Sequence, residues 1–190
     1  MSKTALRIAG YVAFANACCA IPAGLAVLYY SVGKISLITK FELSFLTAIF
    51  TAITIYLILS LKKYLQVTFN FHDINQSAVL IIVVSIAYAA NDIVATFNTG
   101  TINLINDINV GLITLLGLAN IYFAFRLYGL QFDLFKMKKS YCFLTLATGI
   151  LLASVFLSAL SIVPGVFSDL MLGTILLMAS KETKVVGKIS

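Results

Sequence analysis

The chain has 190 residues, of which 61% are hydrophobic and 11% charged, and its mean hydropathy is +1.04. A water-soluble domain of that size cannot hide so much apolar surface, which excludes an ordinary soluble fold. The net charge of +6 would suit nucleic acid if the basic residues shared a soluble face; here they stand between apolar runs, where they read as topology signals facing anionic lipid, and no nucleic-acid partner is expected.

A helix needs about 20 apolar residues to cross about 30 Å of hydrocarbon. The first such run, Ile8 to Ser31, follows Lys3 and Arg7. A cleavable leader would end near Ala15-Asn16-Ala17, but the apolar stretch continues through AIPAGLAVLYY, which predicts a retained membrane anchor. Small residues recur at Ala9, Ala13 and Ala17 and continue through Ala20 and Gly24. Such a stripe lets helix backbones approach closely, either within the chain or against a partner subunit. Asn16 falls near mid-membrane, where an amide bonds across helices or lines a polar cavity.

The second run, Leu43 to Leu61, stops at Lys62-Lys63, and the segment Tyr64 to Gln76 alternates Val67, Phe69 and Phe71 with polar residues, as expected at the inner interface. It carries the lone histidine, His72, which reads as solvated. The third run, Ala78 to Phe97, holds Asn91 and Asp92 near its outer end. A central Asp costs about 2.5 to 3.5 kcal/mol on insertion, and the apolar residues return about 0.3 to 0.6 each, so AVLIIVVSIAYAA carries it. Asn98 to Asn109 is rich in turn formers, holds Asp107 and reads as an outer loop.

The fourth run, Val110 to Tyr128, has Asn120 near its middle and Arg126 at its inner end, with Asp133 nearby as a possible ion partner. The fifth, Tyr141 to Ile162, abuts the sixth, Val163 to Ser180, in which Pro164 suits the first helical turn and Asp169 is placed near the outer end. The prediction is a single all-α integral membrane domain over residues 1–190, with about six spans near 8–31, 43–61, 78–97, 110–128, 141–162 and 163–180. With both ends inside, the cytoplasmic segments hold eleven basic residues and the outer loops only Lys34 and Lys40. Losing one span would scramble that split. Short loops and inward positive charge point to a multi-pass protein of a prokaryotic inner membrane.

Intramembrane acids are costly enough to be functional candidates. Asp92 and Asp169, with Asn91 and the loop residue Asp107, are grouped by this topology toward the outer face as an acidic vestibule. Asn16 and Asn120 are the further candidate binding residues. No nucleotide-binding, serine-hydrolase or zinc-protease motif occurs, one histidine cannot supply a bis-histidine haem or a His-rich metal site, and Cys18, Cys19 and Cys142 form no metal-ligand spacing. No cofactor or resident metal is expected, and the acids are too scattered for a lipid-processing divalent-metal site.

The span count, the chain length and the segment Ala13-Phe14-Ala15-Asn16-Ala17 are similar in outline to the substrate-binding subunits of energy-coupling-factor vitamin transporters, whose first helix carries a small-x-x-x-small contact pattern. No substrate-binding motif accompanies the likeness. Two functions follow. The first is a non-enzymatic membrane subunit that acts by helix packing against a partner or itself. The alternative is a small transporter, channel or solute-binding protein using the acids.

Overall fold

The computed structural model describes residues 2–31, 37–97 and 102–182, which are helical almost throughout and contain no strand. Six α-helices follow in order: α1 (Lys3–Ser31), α2 (Leu37–Phe69), α3 (Asn75–Phe97), α4 (Ile102–Tyr128), α5 (Lys138–Ala153) and α6 (Ile162–Glu182), with a 3-10 segment, Val155–Ser161, between the last two. Five stretches are long and apolar enough to cross a membrane, one each in α1 to α4 and a fifth, Leu157–Glu182, that joins the end of the 3-10 segment to α6. The outward face is as oily as the interior: Phe45 and Phe143 are each 69% exposed, with Tyr11, Val83, Leu118 and Val163 exposed around them. Helices apolar on every side need lipid as their solvent, and the fold is that of a multi-pass membrane protein.

Each helix packs against its neighbours in sequence, and α6 returns to lie along α1, closing the bundle into a ring. Neighbours are antiparallel. Thr47 meets Asp92 and Gln66 meets Asn75 between α2 and α3, while Thr145 meets Ser168 between α5 and α6. Short connections produce this order, because a chain that turns within a few residues can only come back beside itself. The basic residues collect at one end. Among the described residues Lys3, Arg7, Lys62, Lys63, Arg126, Lys136, Lys138, Lys139 and Lys181 sit at that end, against Lys40 at the other. Lys34, Lys184 and Lys188 lie outside the described residues.

Three boundaries depart from the expected ones. Helix α2 does not stop at Lys62-Lys63 but runs to Phe69, so residues 64–69, the first part of the segment expected at the inner interface, are helical. Leu57, Leu61, Tyr64 and Leu65 keep one helical face buried while Lys63 points outward, so the lysine pair interrupts the apolar run without interrupting the core stripe. The helix ends at Asn70, whose φ of 50° is left-handed, a conformation that asparagine tolerates, and the Phe71 N–H turns back to the Leu65 carbonyl. Helix α4 begins at Ile102, so the expected outer loop is helical from there to Asn109; its first part, 98–101, lies outside the described residues. Ile105 is buried and anchors this turn.

The largest correction concerns the fifth span. Two abutting spans at 141–162 and 163–180 would leave no residues for the chain to reverse. Instead α5 ends at Ala153, 16 residues long or about 24 Å, short of the hydrocarbon thickness. Ser154 leaves helical geometry, its hydroxyl donates to the Leu151 carbonyl, and Ser161 closes the 3-10 segment by donating to the Ser158 carbonyl. Serine hydroxyls supply locally the partners that a broken helix would otherwise leave unmet. Pro164 falls in the first turn of α6 as expected.

Candidate functional site

Two helix pairs hold the bundle tightly, and one of them carries a polar pair. Along α1 and α6, Gly10 lies opposite Gly173, Asn16 opposite Asp169 and Gly24 opposite Ile162. Ala9, Ala13 and Ala17 are 0%, 0% and 1% exposed. This part of the stripe is buried within the chain's own bundle, whereas Ala20 and Gly24 remain partly accessible. The close approach allows Asn16 Nδ2 to donate to Asp169 Oδ2 at 2.6 Å.

Asp169 is not near the outer end of its span. It stands twelve residues from Leu157 and thirteen from Glu182, halfway along the apolar segment, and eight residues into α6, beyond the first turn in which a helix dipole stabilises an anion. It lines a cavity of about 140 Å³ inside the ring. Thr54 from α2, Ile81 from α3, Asn120 from α4, Tyr141, Thr145 and Thr148 from α5, and Ser168 from α6 share that wall, which also reaches Leu57, Ile58, Phe123, Gly165 and Leu172. Five helices therefore form the cavity, and α1 contributes Asn16 behind the carboxylate.

The polar groups on the wall have a common orientation. Thr54, Thr145 and Thr148 donate their hydroxyl protons to the carbonyls of Phe50, Tyr141 and Leu144 one turn back on their own helices, at 2.9 Å each. Asn120 Nδ2 donates likewise to the Leu116 carbonyl at 2.8 Å. The Thr145 proton being directed to Tyr141, the 3.2 Å contact between Thr145 and Ser168 has Ser168 as donor. What these side chains leave to the cavity is oxygen lone pairs and one Asn120 N–H, and the Tyr141 hydroxyl adds a second donor beside Thr145 and Ser168. Among the described residues no lysine, arginine or histidine is part of the wall.

The other predicted residues are elsewhere. Asp92 accepts a hydrogen bond from Thr47 on α2 at 3.0 Å and is not part of the cavity wall. Asn91 faces α4, donating to the Ile105 carbonyl at 3.1 Å and to Asn109 Oδ1 at 2.8 Å. Asp107 is exposed at the start of α4. The expected vestibule of Asn91, Asp92, Asp107 and Asp169 thus divides: the first two bind helices together, Asp107 faces outward, and Asp169 joins Asn16 and Asn120 in the interior. Arg126 turns to Tyr122, donating to its hydroxyl at 3.0 Å and lying over its ring, rather than to Asp133. His72 is exposed. Cys142 is buried, Cys18 and Cys19 are exposed, and among the described residues no three His, Cys, Asp or Glu side chains come together.

Thr54, Thr145, Thr148 and Ser168 were not singled out by the sequence. Isolated hydroxyls in apolar helices are common, and only their spacing, Thr145 and Thr148 one turn apart facing Ser168, could have marked them. No protein-family model matches the chain, and neither a curated protein nor a solved structure is similar to it.

Proposed function

We propose that this multi-pass membrane protein binds a small polar solute or ion in the cavity at Asp169 and moves it across the bilayer, as a small transporter or channel of a prokaryotic inner membrane with both chain ends cytoplasmic. The observation that carries this reading is the carboxylate placed halfway along an apolar span beside a largely apolar cavity into which threonine, serine and asparagine side chains are set. A helix that needed only packing would place an apolar residue there, since an intramembrane acid costs several kcal/mol and recurs where it serves a pathway or a ligand. The inward positive charge and short connections support the orientation and the membrane.

The docking subunit, the first of the two expectations from the sequence, is motivated by the small-residue stripe. Its core, Ala9, Ala13 and Ala17, is buried inside the chain, so association with a partner or a second copy would use other lipid-facing surface. The test is reconstitution into proteoliposomes with imposed gradients of salts, amino acids, amines and sugars. Wild-type protein should dissipate at least one gradient faster than empty vesicles, and Asp169→Asn should not. Equal permeability of wild-type, variant and empty vesicles to every solute would refute the reading.

A further inference from the structure

The cavity's chemistry narrows what it takes. The wall presents the Asp169 carboxylate, the Asn120 carbonyl oxygen and the lone pairs of Thr54, Thr145, Thr148 and Ser168 as acceptors, against two donors, the Tyr141 hydroxyl and one Asn120 N–H. An anion would find no positive charge on this wall, and a neutral donor-acceptor solute would find few donors. Behind the wall rather than on it, Asn16 is 8% exposed; its Nδ2 holds the carboxylate, and its Oδ1 is a buried acceptor without a hydrogen-bond partner among the described residues. Buried acceptors in such surplus favour a positively charged or proton-rich guest.

Charge then sets the valence. One carboxylate lines the cavity, so a single positive charge leaves the low-dielectric interior neutral, and a divalent ion would leave it charged at a large solvation cost. The volume of about 140 Å³ exceeds the roughly 30 Å³ share of one water several-fold, enough for an ion with part of its hydration or for a small ammonium. We infer that the Asp169 cavity is a binding site for one monovalent cation, held by the carboxylate and by the oxygens of Asn120, Thr148 and Ser168. The inference rests on the proposed solute-binding role of the cavity and specifies its substrate class.

The test is thermal unfolding of the purified full chain in nanodiscs, at constant ionic strength, in sodium, potassium, methylammonium or magnesium chloride against N-methylglucamine chloride. At least one of the small monovalent cations should raise the midpoint by several degrees and saturably, magnesium should not, and Asp169→Asn should abolish the increment. Asn120→Ala and Thr148→Val should each weaken the apparent affinity about tenfold, the loss expected for one oxygen ligand. Asp92→Asn should leave it intact. Sodium and methylammonium arms distinguish a metal ion from an organic ammonium.

Identical midpoints in all monovalent salts would overturn the inference, as would an increment that survives Asp169→Asn or a stronger response to magnesium. If Asp169→Asn cannot be purified, Asn120→Leu fills the cavity instead, and undiminished saturation in that variant is equally fatal. Should a neutral or anionic solute stabilise the protein through Asp169 while no cation does, the cation assignment falls and the transport reading stands. Absence of both stabilisation and flux removes the two together.

Discussion

The α1–α6 and α4–α5 seams use the same device, glycine opposite glycine on antiparallel helices, with opposite results. At α4–α5 the contact is backbone on backbone: a Cβ on Gly117 would lie 2.5 Å from the Ala153 nitrogen and 2.6 Å from the Gly149 oxygen. At α1–α6 a Cβ on Gly10 would first meet the Leu177 side chain, its Cγ at 2.7 Å and Cδ2 at 2.8 Å, and only then the Gly173 oxygen at 3.1 Å. One seam is apolar and rigid, whereas the other carries the Asn16–Asp169 pair. Small residues by themselves therefore say how near two helices come, and the residue one or two turns away says what the proximity is for.

The largest effect should come from the rigid seam. Gly117→Ala is expected to cost about 1 to 3 kcal/mol, the usual penalty of overpacking where no side chain can yield, and Gly10→Ala clearly less because Leu177 can change rotamer. Unfolding titrations in sodium dodecyl sulfate would compare them; equal losses would erase the distinction between the seams. Next is the polar pair. Asn16→Ala should destabilise by about 1 to 2 kcal/mol by leaving the carboxylate without its donor. In a double-mutant cycle with Asp169→Asn the coupling should be about 0.6 kcal/mol and no more than about 1.7, the range of interhelical hydrogen bonds in membranes. Zero coupling would mean that the 2.6 Å contact contributes nothing.

Smaller changes separate the seams from the rest of the bundle. A Cβ on Gly111 would have nothing within 4 Å, so Gly111→Ala should stabilise by about 0.5 to 1 kcal/mol through helix propensity alone. A loss there would place α4 in an unsuspected contact. Smallest of all, Asp92→Asn keeps an oxygen for the Thr47 hydroxyl and should change stability by less than about 0.5 kcal/mol, with vesicle flux unaltered. Loss of flux in that variant would move the site from Asp169 to Asp92.

Much of the fold is legible because lipid imposes it. Lengths of apolar run, and lysines at alternate turns, locate helices without reference to any contact, and α1 and α3 come out close to their expected bounds. Misreadings arise where a local signal competes with packing. Lys62-Lys63 resembles a helix end, yet Tyr64 and Leu65 remain in the core. Residues 154–161 prolong the apolar run of α5, yet they form the break and the 3-10 segment between two antiparallel helices, a demand that hydropathy does not register. In the site, Asn16, Asn120 and Asp169 were recognisable as polar groups in expensive places, but nothing in their separate neighbourhoods links residue 16 to residue 169.

Composition and periodicity alone settle that this chain is a helical membrane bundle whose positive charge gathers at one end, because solvation by lipid acts on each segment independently. Closure of the ring through α1 and α6, and with it the choice of Asp169 over Asp92 as the interior acid, belongs to the tertiary structure. That choice depends on which helices touch and on which turn, and close packing between segments 153 residues apart is a property of neither segment by itself.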